Sequence, residues 1–260
     1  MAITEEGFAN ELAVCSLNAV RALAETAPDS INRLFLRSHL MTEFAPLCKQ
    51  LAARKRPYKM CEDEELERIC KTPHHQGIVA MIFRPEVPPL TREDLATWAD
   101  NGLTGIVLHD VGNDFNLGAI VRQAAFFDVR YVIISELDEA AKLSTAAYRA
   151  AEGGMMHVTL RSVHRTGAFL QDASKMLLTI GTDHRARQRL RDLPVYIAEQ
   201  TNALGRRPGI ALVVGNEYRG LSAAVKEQCS VLLRIPGTGA VECLNVAQAA
   251  ALFCHEIFEA

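Results

Sequence analysis

The chain is expected to fold as an α/β protein, a mainly parallel sheet clad by helices and preceded by a smaller α/β layer domain. Three observations support this. Apolar runs alternate with helical stretches through the second half, in GIVLHD, VRYVIIS, MHVTL, MLLTIG, GIALVVG and VLLRIP, the rhythm of strand and crossover helix. These runs are apolar along most of their length, which suits central strands covered on both faces. The segment RPEVPPLTRED places Pro85, Pro88 and Pro89 within five positions, where missing amide donors and fixed φ angles favour an extended connection between domains. At 260 residues and 49% hydrophobic, the chain suits one large domain or two unequal ones, given roughly 100–200 residues per domain.

Taken in order, residues 10–27 carry apolar positions at helical spacing, and INRLFLR then reads as a strand. A second helix is expected around 42–54, a short strand near Tyr58, an acidic helix over Asp63–Cys70 and a strand in GIVAMIF. These make a first domain over residues 1–84. Residues 85–100 are the proline-rich linker and lead-in helix, and 101–260 the second domain. There, helices are expected to begin at Asn116, Ser222 and Asn245, each directly after a loop that follows a strand. In an open α/β sheet such loops hold the ligand.

Composition removes several classes. Apolar runs are short and broken by charge, none near the ~18–20 residues of a membrane span, and MAITEEGFANELAV lacks a basic segment followed by an apolar one. Neither secretion nor membrane insertion is expected. Seven cysteines without a CxxC pair fit neither a disulfide framework nor a zinc site and suit a reducing cytoplasm. A net charge of −3 rules out a uniformly basic surface but leaves two local patches. Arg54-Lys55-Arg56 with Lys59, and Arg185, Arg187, Arg189 and Arg191 with Arg206-Arg207, could contact phosphates or form solvated surface. His74-His75-Gln76-Gly77 is expected to support a hinge, and no metal is expected.

The chemistry-bearing loops are glycine-rich. In ALVVGNEYRGLS and LLRIPGTGAVECLNVAQAAALF both apolar runs stop at a Gly-bearing bend, leaving backbone amides and carbonyls free at the ends of buried strands. Asn245 either caps the last helix or faces what the loops enclose, and both uses are compatible. In HDVGNDFNLGAIVRQAAFFDV, Gly112 and Asn113-Asp114 permit a tight turn and Asn116 suits an N-cap. Arg122 follows six residues later among apolar neighbours, so its guanidinium either snorkels to the surface or points into a polar pocket. GxGxxG and GxxxxGK[ST] are absent at any strand-to-helix turn, so nucleotide phosphates have no evident cradle.

In order and spacing, NDFNLGAIVRQAAFF, VVGNEYRGLS and RIPGTGAVECLNVAQAAAL resemble the three signature motifs of the SpoU (TrmH-like) RNA ribose 2′-O-methyltransferases of the SPOUT superfamily. The resemblance covers nearly the entire chain and is nearest the YfiF-like branch. Its front domain, with AVCSLNAVRALAE and PHHQGIVA, resembles that family's RNA-binding cap. The resemblance implies a trefoil-knotted methyltransferase domain, an exception to unknotted chains. It also implies S-adenosylmethionine held largely by backbone groups of the knotted loops, and a homodimer with active sites near the interface. It assigns cofactor contacts to Gly215, Ile235, Leu244 and the neighbouring Cys243, and polar active-site roles to Asn116, Arg122, Glu217 and Asn245, with Arg122 central to catalysis.

A ribose 2′-hydroxyl is a poor nucleophile, so methyl transfer needs help with its proton and in-line placement of the methyl donor. Arg122 could be transiently deprotonated to act as base, or stay cationic and stabilise the developing alkoxide. Several positions depart from the family pattern. Cys243 replaces the usual serine and forms weaker hydrogen bonds; Gly237 follows Ile235-Pro236 in place of methionine; Asp128 and Ala150 replace glycine and serine. The expected activity is therefore 2′-O-methylation of structured rRNA or tRNA. The alternative is an RNA-binding or ribosome-assembly protein of the same fold whose methyl transfer is weakened or lost.

Overall fold

A computed structural model describes residues 10–136 and 140–260. The described residues form two compact units, one running to Glu86 and including Lys142–Met156, the other made of Val87–Ala141 and His157–Ala260.

The first unit is a four-stranded sheet with helices. Its elements are β1 (Glu11–Cys15), α1 (Leu17–Thr26), β2 (Ile31–Leu36), α2 (Ala45–Ala53), β3 (Tyr58–Met60), α3 (Asp63–Cys70) and β4 (Ile78–Phe83), with strand order β1-β4-β2-β3. β4 pairs antiparallel with both β1 and β2, and β3 pairs parallel with β2. The uniform helix expected over 10–27 is instead a strand and a helix. ELAVC is too short for its apolar pattern to separate the two periods, and pairing along β4 decides in favour of strand. The break falls at Ser16, whose φ of 97° ends the strand and whose hydroxyl accepts the Ala19 N–H at 3.4 Å to cap α1.

Phe35, Leu66, Val79 and Met81 pack with Cys15 and Cys70 in the core of this unit. A hydrogen bond with Cys70, together with burial, pushes the Cys15 thiol well up; burial pushes Cys229 and Cys254 in the second unit up to about 12. These thiols act as small apolar groups. His75 Nδ1 accepts the Gly77 N–H at 3.1 Å, and Gln76 Oε1 accepts the Leu17 N–H at 2.8 Å. Both side chains hold backbone in place here.

The second unit begins with α4 (Arg92–Asp100), β5 (Thr104–His109), α5 (Asp114–Phe126) and β6 (Tyr131–Ser135). α6 (Thr145–Ala151) belongs to the first unit, where the Thr145 hydroxyl donates to Ala13 O at 2.7 Å and Asn18 Nδ2 donates to Glu152 Oε2 at 3.0 Å. The second unit resumes with β7 (Thr159–Val163), α7 (Thr166–Ala173), β8 (Leu177–Thr182), β9 (Gln188–Arg189), α8 (Leu193–Leu204), β10 (Gly209–Gly215), α9 (Ala223–Glu227), β11 (Val231–Arg234) and α10 (Val246–Glu259). The strand expected at MHVTL begins later, at Thr159, because Gly154–Met156 forms a short helical turn in the first unit.

The seven strands lie in the order β7-β6-β5-β10-β8-β11-β9, and every neighbouring pair is parallel. β5, β8 and β10 are central and almost wholly buried, which their continuous apolar sequences require. Trp98 of α4 is fully buried, stacks on Tyr131 at 5.1 Å and donates its indole N–H to Ile210 O at 3.0 Å, joining helix to sheet. From β5 the chain continues outward through β6 and β7, whereas β10 lies on the other side of β5 next to β8. The loops leaving β5 and β10 therefore emerge side by side at a switch point, where doubly wound sheets form their crevice. Among the described residues no helix is long and apolar enough to cross a membrane.

Candidate active site

Helix α5 begins two residues before the expected Asn116. Asn113 is the cap, its Oδ1 accepting the Phe115 N–H at 2.8 Å. This leaves the amide of Asn116, within the first turn and 6% exposed, free for other partners. Asn116 Nδ2 donates to Glu217 Oε1 at 2.6 Å, and Asn116 Oδ1 accepts from Asn245 Nδ2 at 3.1 Å. Asn245 also caps α10, its Oδ1 accepting the Ala247 N–H at 2.8 Å, so both uses of this side chain hold at once. One buried amide thereby joins loops that are 101 and 129 residues away in sequence.

The turn carrying Glu217 is fixed by the Asn216 side chain. Asn216 Oδ1 accepts the N–H groups of Tyr218 and Arg219 at 2.9 and 3.0 Å, while Asn216 Nδ2 donates to Asp110 O at 2.8 Å beside the end of β5. The turn doubles back closely on Gly215, where an added Cβ would lie 2.4 Å from Gly220 C and 2.6 Å from Leu221 N. Glycine at 215 thus has a steric cause in this loop. Nearby, burial pushes the His109 imidazole pKa down, and its Nδ1 has no hydrogen-bond partner among the described residues.

These loops border a cleft of about 830 Å³ whose lining includes Asn113, Phe115, Asn116, Gln123, Asn216, Glu217, Tyr218, Asn245 and Gln248. Its volume is within the ~300–1,000 Å³ typical of ligand pockets. Of the residues singled out from sequence, the structure brings Asn116, Glu217 and Asn245 together here. Arg122 is exposed on α5 and outside the lining. Gly215, Ile235, Cys243 and Leu244 are also outside it: Gly215 is buried, Ile235 half-buried, Cys243 exposed and Leu244 42% exposed. Ile235 to Leu244 enter no backbone–backbone hydrogen bond among those of the described residues; Ala240 N–H donates to Thr238 Oγ1 at 3.3 Å.

Phe115, Gln123, Tyr218 and Gln248 were not singled out from the sequence. Gln123 follows Asn116 by seven residues, two helical turns along the same face, and that spacing was the available signal. Many of the expected phosphate-binding cations have local partners. Arg54 pairs with Asp29, Arg56 donates to Asp29 O and Ile31 O at 2.6 Å each, and Lys59 pairs with Glu65 at 2.6 Å. In the second group Arg185 lies 3.6 Å from Glu242, Arg206 3.2 Å from Asp100, and Arg207 donates to Ile257 O at 2.9 Å. Arg187 and Arg189 remain exposed.

The sequence profile of the SpoU rRNA Methylase family matches residues 104–255, the span from β5 to α10 that builds this site. The chain belongs to the SpoU rRNA methylase family. A second profile, RNA 2′-O ribose methyltransferase substrate binding, matches residues 17–88. Relatives of this SpoU family chain include an uncharacterized tRNA/rRNA methyltransferase, YfiF, of Escherichia coli O157:H7, 27% identical over 95% of this chain and 68% of the relative. Another is the 23S rRNA (guanosine-2′-O-)-methyltransferase RlmB of Bordetella pertussis, 28% identical over 96% of this chain and 97% of the relative. The SpoU methyltransferase AviRb of Streptomyces viridochromogenes, solved in complex with the cofactor AdoMet, shares the fold with a TM-score of 0.73 at 18% identity, covering 96% of this chain and 90% of its own.

Proposed function

We infer that this SpoU family chain transfers a methyl group from S-adenosylmethionine to a ribose 2′-hydroxyl in structured rRNA or tRNA. The observation that carries this reading is the junction of Asn116, Glu217 and Asn245, polar groups from three loops meeting beside the cleft. When bound, the cofactor supplies an electrophilic methyl group on a sulfonium. The residues present fit it: the glycine-bearing bend of Ile235 to Leu244 enters no backbone–backbone hydrogen bond among those of the described residues, suiting a ligand held by backbone. Gly215, Ile235, Cys243 and Leu244 are the proposed contacts. Cys243 in place of serine weakens one hydrogen bond there.

The three joined side chains would hold the ribose edge for in-line attack. Arg122, exposed on α5 and outside the cleft lining, is the proposed stabiliser of the developing alkoxide through its guanidinium N–H donors. Glu217, the one carboxylate among the described cleft-lining residues, would receive the hydroxyl proton. The alternative of a protein that has lost methyl transfer is not favoured, since the likeness to the RlmB methyltransferase runs over 97% of that relative's length.

Residues 1–84 are the proposed RNA-binding cap, a reading supported by the substrate-binding profile, with 85–100 as linker and 101–260 as the methyltransferase domain apart from Lys142–Met156, which group with the first unit. The trefoil knot and a cytoplasmic location follow from the family resemblance. A homodimer is supported by the apolar surface left on α5 and α10, where Phe126 is 79%, Phe258 57% and Leu252 44% exposed. Mapping 2′-O-methylated positions in RNA from cells with and without the protein tests the activity. A position lost with the gene should return with the natural chain and not with Arg122→Ala; its full return with Arg122→Ala would remove Arg122 from catalysis. No calorimetric binding of S-adenosylmethionine at millimolar concentration would overturn the enzyme reading.

A further inference from the structure

Beyond the three joined residues, the cleft carries features the methyl-transfer chemistry does not use. Two aromatic side chains border it and remain exposed, Phe115 at 54% and Tyr218 at 96%. Neither position is incidental. Asn113 Oδ1 holds the Phe115 N–H, Asn216 Oδ1 holds the Tyr218 N–H, and both asparagines also line the cleft. Farther along α5, Gln123 places a buried Oε1 on the lining with no hydrogen-bond partner among the described residues. A buried acceptor left unpaired is costly, and a ligand N–H would satisfy it.

Aromatic faces left in water beside an unpaired amide suit a planar, partly apolar ligand with N–H groups on its edge. We propose that the cleft receives an unstacked nucleobase of the RNA substrate, stacked on Phe115 and Tyr218, with Gln123 Oε1 accepting an N–H from its edge. Unpaired bases are recognised by this combination of aromatic stacking and edge hydrogen bonding. The proposal rests on the 2′-O-methyltransferase reading, because the cleft is the one bordered by Asn116 and Glu217. It assigns substrate-binding roles to Phe115, Tyr218 and Gln123.

The test is calorimetric titration of the full chain with AMP, GMP, CMP, UMP and, as the base-free control, ribose 5-phosphate. At least one nucleotide should bind more tightly than ribose 5-phosphate. Phe115→Ala and Tyr218→Ala should each weaken it by about five- to 150-fold, the range for loss of one stacking partner. Tyr218→Trp should retain binding, and Gln123→Leu should cost about two- to tenfold. The rings are exposed, and unchanged emission from Trp98 would verify that each variant is folded.

No nucleotide binding at millimolar concentration, equal binding of ribose 5-phosphate, or indifference to both alanine substitutions would overturn the proposal. So would a shift in sedimentation with nucleotide binding unchanged, which would assign the rings to contact with a second copy of the chain. Methyl transfer with nucleotide binding indifferent to the rings defeats this proposal alone. Ring-dependent nucleotide binding without methyl transfer defeats only the enzyme reading.

Discussion

Replacing Asn116 with aspartate changes one group of almost the same size at the centre of the site. The amide now donates to Glu217 Oε1 at 2.6 Å; the substitution removes that donor and places a second carboxyl against the first. At 2.6 Å and an effective dielectric of ~20, two full negative charges would repel by about 6 kcal/mol. Proton uptake sets a lower ceiling. Holding one proton on the pair at pH 7, some three units above an ordinary carboxyl pKa, costs about 4 kcal/mol at 1.36 kcal/mol per unit. A carboxyl whose folded pKa is raised costs nothing below its unfolded value and costs progressively more as pH rises toward the folded value. Asn116→Asp should therefore approach the natural chain in stability near pH 5 and fall behind it toward pH 8. Urea unfolding followed by emission of Trp98 is the assay, since it is the chain's one tryptophan and is fully buried in the second unit. Asn116→Ala serves as control, losing about 1–3 kcal/mol for each polar group left unpaired, with little dependence on pH. Equal stability of Asn116→Asp and the natural chain at pH 8, or a gap that does not change with pH, would refute the coupling between Asn116 and Glu217.

The bidentate pair of Arg161 Nε and Nη2 with Asp94, at 2.8 and 3.1 Å, holds the Asp94 carboxyl down at about 2 from 3.8. Ionised Asp94, held by Arg161 first and by the Thr91 N–H and hydroxyl as well, contributes about 2 kcal/mol that is present above pH 4 and lost as pH falls from 4 toward 2, so the deficit of Asp94→Asn in urea melts should shrink over that window. Gly215→Ala must displace the backbone of Gly220 and Leu221 and should lower stability by about 1–3 kcal/mol, together with S-adenosylmethionine affinity by calorimetry. Phe126→Glu should shift any dimer toward monomer in sedimentation, and an unchanged distribution would place the interface elsewhere.

The parallel sheet was legible because its central strands are apolar throughout, a pattern that double-sided burial imposes on GIALVVG and GIVLHD. β1 was not, since five residues satisfy either period and the deciding partner, β4, lies more than sixty residues away. The cap of α5 was misplaced onto Asn116 because Asn113 and Asn116 both have suitable side chains, and the free one became the hub of the site. The family motifs pointed to Asn116, Glu217 and Asn245; their mutual hydrogen bonds depend on which loops the strand order sets side by side. The charge of Arg54, Arg56 and Lys59 was visible, but their engagement with Asp29, Ile31 and Glu65 is a tertiary fact. Exposed rings such as Tyr218 carry no periodic signal at all.

Residues 142–156 lie in the first unit while the chain on either side lies in the second, so the backbone passes between the units three times, after Glu86, Ala141 and Met156. A protease cut in the proline-rich stretch therefore cannot free either unit as an intact piece. A fragment ending at Glu86 would lose the Thr145 hydroxyl from Ala13 O and the helix that buries Ala147, Tyr148 and Ala151. Separating the first unit from the second thus calls for transplanting this excursion onto the shorter fragment, and an excised first unit lacking it should aggregate or melt early.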